Sequence, residues 1–219
     1  MNEQTNRIKP KLIMTLDTHR EIDNNQLVDA LILGHFASII MYDSENDEAN
    51  LQKVSERLIE PIQSNGIAFL IANDSRIAGR IQADGIHLEG KVEDLQTALG
   101  KRRDSMIVGY GNLRDKHSAM VSGEFEPDYL MFGKLGADKK PEPHPRNILL
   151  GTWWAEVMEI PAIVQAGASV ETFKQTLDTG ADFISVEDVL FNSSTPIEIT
   201  NQLINIIDEN DSIEMERHE

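Results

Sequence analysis

The sequence predicts a single (β/α)8 barrel, and three observations predict it. Apolar runs alternate with helical patterns eight times along the chain. The runs are short and continuous, as strands buried on both faces are. A length of 219 residues suits one α/β domain at the compact end of the barrel range. An open doubly wound sheet is the alternative. It is weakened because no glycine-rich dinucleotide fingerprint follows the first strand.

Residues 1–10 read as a flexible lead-in, 11–208 as the barrel, and 209–219 as an acidic tail expected to be disordered. Lys11 to Leu16 is the first strand. Asn24 to Leu33 carries Leu27, Ala30, Leu31 and Leu33 at helical spacing, and Gly34 closes it as a C-cap. Ala37 to Tyr42 is strand two. Asp47 to Ser64 places Leu51, Val54, Leu58, Ile59 and Ile62 on one helix face, and Asn65-Gly66 stops it. Phe69 to Ala72 is strand three. It leads through Asn73-Asp74 and a short helix to a turn at Ala83-Asp84-Gly85, and Ile86 to Leu88 is strand four.

A helix over Lys91 to Gly100 leads to strand five, Met106 to Tyr110. A helix near Leu113 to Ser122 leads to strand six, Tyr129 to Phe132. The glycines and prolines of Gly133 to Pro145 exclude regular structure there. Helix Asn147 to Glu159, strand Ala162 to Gln165, helix Val170 to Thr179, strand Phe183 to Val186 and helix Pro196 to Asp208 complete the count. Asp84, Asp128 and Asp182 each stand just before a strand, as one repeated kind of turn.

Composition narrows the function classes. With 40% hydrophobic residues the chain can bury a substantial core. It has no apolar run of membrane-spanning length, and its first residues lack the apolar core of a signal peptide, so a cytoplasmic location is expected. The absence of cysteine excludes disulfides, thiolate metal sites and cysteine nucleophiles. A net charge of −17 argues against a nucleic-acid partner. The expected partners are phosphorylated small molecules, with a homo-oligomer admitted and no membrane partner.

Barrel sites form at the C-terminal ends of the strands. That rule selects Tyr42 and Asp43, Asn73 and Asp74, His87 and Glu89 with Glu93 and Asp94, then Lys134, Asp138, Lys139 and Lys140, then Gln165 to Ser169, and Glu187 with Asp188. Asp74 with Glu89 or Asp94 offers hard oxygen ligands for Mg2+. Equally, Asp74 can cap the helix that starts near Ser75. The small residues Ala166-Gly167-Ala168 can cradle a phosphate on backbone N–H groups, or form an ordinary turn with Ser169 as N-cap. The loop lysines can neutralise a pyrophosphate or sit in solvent. His87, inside an apolar strand, reads as a core histidine, His144 as a surface residue, and His117, Trp153 and Trp154 as packing or surface. An aldolase or isomerase of the same fold would need a lysine projecting from a strand, and the strands contain only Lys11, at the very start of the first.

The run IANDSRIAGRIQADGIHL resembles the pattern of thiamine phosphate synthases, in which Asn-Asp ends one strand and Ala-Asp-Gly-Ile-His-Leu leads to the next. The similarity extends through Phe132-Gly133, PAIVQAGAS and Gly180-Ala181-Asp182, and spans roughly residues 11 to 207. The resemblance implies a (β/α)8 barrel that joins hydroxymethylpyrimidine pyrophosphate to thiazole phosphate, with Mg2+ helping pyrophosphate to leave. It implies that Asn73 contacts pyrophosphate, that Asp74 binds Mg2+ with Asp94 or Glu89 as the second carboxylate, that Lys139 or Lys140 is the sixth-loop lysine, and that Ala166 and Gly167 stand for the phosphate-binding pair.

The sequence also departs from that pattern. No Gln-x-Arg-x-Lys run follows strand two, where Ile40 to Ser44 stand. The sixth loop has Gly136-Ala137-Asp138-Lys139 in place of Thr-x-Thr-Lys. Glu187-Asp188 replace an Ile-Ser backbone that would hold phosphate, and two acids there weaken phosphate binding unless another cation sits between them. The alternative reading is therefore a barrel of the same superfamily that does not couple the two substrates, either tautomerase-like or a ligand-binding regulatory protein.

Overall fold

The computed structural model describes residues 9–102, 105–192 and 195–217. Eight parallel strands close into a barrel in sequence order: β1 (Lys11–Asp17), β2 (Ser38–Tyr42), β3 (Ala68–Ala72), β4 (Gly85–Leu88), β5 (Ile107–Tyr110), β6 (Tyr129–Phe132), β7 (Ala162–Gln165) and β8 (Phe183–Val186). The seam closes where β8 pairs with β1, Phe183 lying beside Lys11. The helices are α1 (Asn24–Leu33), α2 (Glu48–Gln63), α3 (Ser75–Ile81), α4 (Val92–Lys101), α5 (Lys116–Gly123), α6 (Pro145–Val157), α7 (Phe173–Leu177), α8 (Asp188–Phe191) and α9 (Pro196–Arg217). The closed barrel excludes the open-sheet alternative.

Strand periodicity sorts the side chains into two cores. Ile13, Ile40, Leu70, Met131 and Ile163 share the small cluster inside the barrel. Leu12, Ile39, Phe69, Ile71 and Val164 belong to the larger cluster under the helices. The helices begin where short acids satisfy open backbone donors: Asp23 before α1, Asp47 before α2, Asp74 before α3 and Asp115 before α5.

The repeated aspartate has one physical role at all three positions. Asp84 Oδ2 accepts the N–H of Phe69 at 2.7 Å. Asp128 accepts that of Val108 at 2.7 Å, and Asp182 that of Ala162 at 2.8 Å. Each acid at the foot of β4, β6 or β8 thus staples the foot of the strand before it. The junction before β2 has Phe36-Ala37 and no such acid.

Several boundaries differ from the sequence reading, among them α6 (Pro145–Val157) and α7 (Phe173–Leu177). Gly34 is the C-cap of α1 as expected, but it is right-handed, and His35 (φ 47) takes the left-handed position. Gly34 is needed for space, since a Cβ there would overlap the Phe36 ring. Helix α5 starts at Lys116, capped by Asp115. A short α8 follows β8 directly. Helix α9 continues through the acidic segment read as a tail, as far as Arg217. The lead-in lies outside the described residues up to Ile8, as do His218 and Glu219.

Replacing Asp84 or Asp182 with Ala leaves a strand N–H without its acceptor and is expected to cost about 1–3 kcal/mol. Urea unfolding measures it. Asn, which keeps one carbonyl acceptor, should recover part of the loss.

Candidate active site

The C-terminal mouth of the barrel is organised around Glu187, the residue after β8. Inward positions on β1, β2 and β8 converge there, because these three strands are neighbours and the same side-chain parity runs along each. Glu187 is 0% exposed. Its carboxylate accepts the Tyr42 hydroxyl at 2.9 Å, the Thr15 hydroxyl at 3.2 Å and the Asp17 N–H at 3.0 Å. Arg20, from the β1–α1 loop, reaches it at 3.4 Å. Arg20 also pairs with Asp188 and lies over the Phe191 ring, 4.5 Å from its centroid. Lys139 reaches Asp188 at 2.9 Å from the β6–α6 loop. Asp138, beside it, accepts the Asp188 N–H at 2.9 Å.

This crowding of acids sets the electrostatics. Burial, and then the charge of Asp138, push the Glu187 carboxyl up to about 7, against the pull of the Asp17 N–H, Tyr42 and Arg20. Burial also raises Asp138, with the Asp188 charge adding to it. The Tyr42 phenol is driven well above its usual range by burial and by Glu187, so it serves as a hydrogen-bond donor. Arg20 and Lys139 are the cations set against these acids.

The residues selected from sequence are distributed differently. Asp74 is the N-cap of α3: its Oδ1 accepts the N–H groups of Arg76 at 2.8 Å and Ile77 at 2.9 Å, and Arg76 pairs with Oδ2 at 3.0 Å. Asp94 Oδ2 accepts the Lys91 N–H at 2.9 Å in a capping box. Glu89 accepts the Leu135 N–H at 2.7 Å. Asn73 is left-handed (φ 59), and its side chain accepts the Glu89 N–H at 2.9 Å, tying the top of β3 to that of β4. Asn73, Glu89 and Asp94 do share a groove of about 940 Å3, but it lies between α3 and α4, outside the barrel. Each of the three carboxylates proposed for Mg2+ is held by backbone N–H groups. Among the described residues no three acids or histidines stand together as a ligand set. Asp74, Asp94 and Glu89 are thus engaged as helix caps and a loop tie, not gathered as a preformed Mg2+ site.

At the β7–α7 turn, Ala166 donates its N–H to Ser185 at 3.0 Å. Gly167 lies directly under the sixth loop, where a Cβ would overlap the Pro141 carbonyl. Ala168 donates to the Lys140 carbonyl at 2.7 Å, so Lys140 acts here through its backbone, its side chain lying in an exposed stretch. Asp43 is used locally. Against the upward pull of burial, donors from Thr18, Asp47, Asn50 and His19 hold its carboxyl well below the usual range and fix the β2–α2 turn. His87 is fully buried, stacked on Tyr129 with its Nδ1 3.0 Å from the tyrosine hydroxyl, and its Nε2 lies 3.8 Å from Glu89, without a hydrogen-bond partner among the described residues. His144 caps α6. Lys11 is exposed at the foot of the barrel, away from the mouth.

Sequence reasoning named Tyr42, Asp138, Glu187 and Asp188 at the mouth but missed Thr15, Asp17 and Arg20. Parity along β1 could have found the first two, since they alternate with the outward Leu12, Met14 and Leu16. Arg20 carried no local signal beyond its charge.

A closed parallel barrel with its polar groups gathered at the C-terminal mouth is the architecture of the (β/α)8 enzymes that bind small molecules there. The profile of the thiamine monophosphate synthase family matches residues 12–189, and the chain belongs to that family. It is 34% identical over 142 residues to a thiamine-phosphate synthase of Rhodospirillum centenum, covering 64% of this chain and 68% of that one. It is 30% identical over 152 residues to one of Erythrobacter litoralis, covering 64% and 70%. The solved thiamine phosphate pyrophosphorylase from Pyrococcus furiosus superposes with a TM-score of 0.75 at 19% identity, over 93% of this chain and 98% of that one. It shares the fold.

Two outcomes follow from the geometry. Ionising Glu187 in the folded state is unfavourable, because its folded pKa lies above the unfolded value. Wild-type stability associated with this group is therefore full below about pH 4.5 and falls as pH rises to about 7. Relative to wild type, Glu187→Gln should gain on the order of 3 kcal/mol across that window, read from urea unfolding at a series of pH values. Asp74→Ala should lose about 1 kcal/mol as a helix cap, with no accompanying change in the Mg2+ response of the melting temperature.

Proposed function

We propose that the chain is a diverged, non-coupling member of its family. It takes a small thiazole- or pyrimidine-type heterocycle at the barrel mouth and moves a proton on it with Glu187. One observation carries this reading: Glu187 is fully buried at the end of β8, and its carboxyl is tuned to about 7. A carboxyl that is part ionised near neutrality can both remove and return a proton. In the step proposed, Glu187 takes a proton from one ring-adjacent atom of the ligand and returns it to another, so the ligand is isomerised with no net loss. Tyr42 and Thr15 orient the carboxylate, and Arg20 stabilises its ionised form. The sixth loop covers the site and keeps water from it. Family membership supports the heterocycle class, and the composition supports a cytoplasmic setting.

The second reading is the family reaction itself, the joining of hydroxymethylpyrimidine pyrophosphate to thiazole phosphate. The thiamine-phosphate synthase relatives favour it, as do two cations, Arg20 and Lys139, at the mouth. Against it, both cations are committed to Glu187 and Asp188, and a pyrophosphate would meet three acids.

Incubating the thiazole and pyrimidine compounds with the protein in D2O, and following carbon-bound protons by NMR, tests the first reading. Exchange should rise with pH through about 7 as Glu187 ionises, and Glu187→Gln should lower it by roughly 100-fold or more. Magnesium-dependent thiamine phosphate formation that Glu187→Gln leaves untouched, with no exchange, would sink it in favour of the second.

A further inference from the structure

The sixth loop occupies the donors that the turns after β7 and β8 present to the mouth. Ala168 N–H goes to the Lys140 carbonyl at 2.7 Å, and the Thr172 hydroxyl to the Pro141 carbonyl at 2.6 Å. Asp188 N–H goes to the Asp138 carboxylate at 2.9 Å. The contact is close, because Gly167 has no side chain to hold the loop away. Asp138 is only 5% exposed, and its second oxygen, Oδ1, is buried without a hydrogen-bond partner among the described residues. A buried acceptor left open in this way calls for a donor.

We propose that Asp138 is the specificity-determining residue of the mouth: its carboxylate takes the place of a ligand anion at the Asp188 N–H and selects a ligand whose group at this end is an uncharged or cationic hydrogen-bond donor, a hydroxyl or an amino group, not a phosphate. This names the substrate class of the proton-transfer reading and rests on it. A backbone N–H serves a carboxylate or a phosphate oxygen alike. The carboxylate here is tethered through its own loop, so it competes at high effective concentration. A phosphate would have to expel Asp138 and then stand beside Glu187 and Asp188, whose partner cations are already paired with them. Like charges in a buried site oppose that strongly. A hydroxyl or amino group of the ligand meets Asp138 Oδ1 with the opposite polarity and satisfies it.

Isothermal titration calorimetry with the thiazole alcohol and with its phosphate ester tests the assignment. It should be run on wild type, on Asp138→Thr and on Asp138→Asn, which keeps the shape and drops the charge. Wild type should bind the alcohol at least roughly tenfold tighter than the ester, and both variants should gain at least roughly tenfold for the ester. Tighter binding of the ester by wild type, no heat with the alcohol, or no gain for the ester in whichever variant folds would each overturn it. The result is separable from the reading beneath it. Loss of proton exchange in Glu187→Gln reports on Glu187, whereas a gain for the ester in the Asp138 variants reports on Asp138.

Discussion

A carboxylate with no solvent exposure, at the end of the last barrel strand, is the constraint on which the rest of the mouth depends. An isolated charge at that depth is untenable, so Glu187 must be hydrogen-bonded, paired or protonated, and the structure uses all three. Tyr42, Thr15 and the Asp17 N–H supply hydrogen bonds, Arg20 supplies the charge, and burial supplies the upward shift. Arg20 must then fold back over the mouth, where Phe191 and Asp188 receive it. Asp188 is drawn into the same arrangement and holds Lys139, which brings the sixth loop down. Hydrogen bonds from Ala168, Thr172 and the Asp188 N–H hold the loop there as well.

The barrel itself was legible because its signals are local and repeated. Apolar runs such as SIIMY and YLMF can be strands only if both faces are covered, and eight of them separated by helical patterns leave few topologies. The repeated aspartate was visible as a pattern, but its meaning was not. Whether Asp84 is a turn residue or a staple depends on where the Phe69 N–H lies, and that is a property of the closed sheet. The end of α1 shows the same limit at small scale. Gly34 looks like a left-handed cap, yet the space beside the Phe36 ring decides its identity and His35 takes the positive φ.

The site was legible only in part, for a related reason. Asn73, Asp74 and Asp94 were chosen by position along the chain, and position fixes which end of the barrel a residue occupies. It does not fix what the side chain does there. Asp74 and Asp94 sit at the first turns of helices, where open backbone N–H groups compete for any nearby carboxylate, and here they hold it. Arg20 illustrates the opposite case. It lies three residues beyond β1, in a loop with no motif, and meets Glu187 only because β8 closes against β1. Convergence across the seam of a barrel leaves no trace in sequence spacing.

Charge balance sets the character of the mouth. Burial raises the Glu187 and Asp138 carboxyls, and Arg20 and Lys139 are the cations set against them and Asp188. Protonating Glu187 removes one negative charge from the cluster, and ionising it restores that charge. The cluster therefore changes its charge through protons held by the protein, whereas a clamp built from fixed cations changes its charge only when ligand arrives or leaves. A group that trades a proton near neutral pH, as Glu187 does, suits a reaction in which a proton moves. The end of β8 and the sixth loop are tied to each other by direct contact. Asp138 is tolerable only because Asp188 offers its N–H, and Asp188 is tolerable only because Arg20 and Lys139 pair with it.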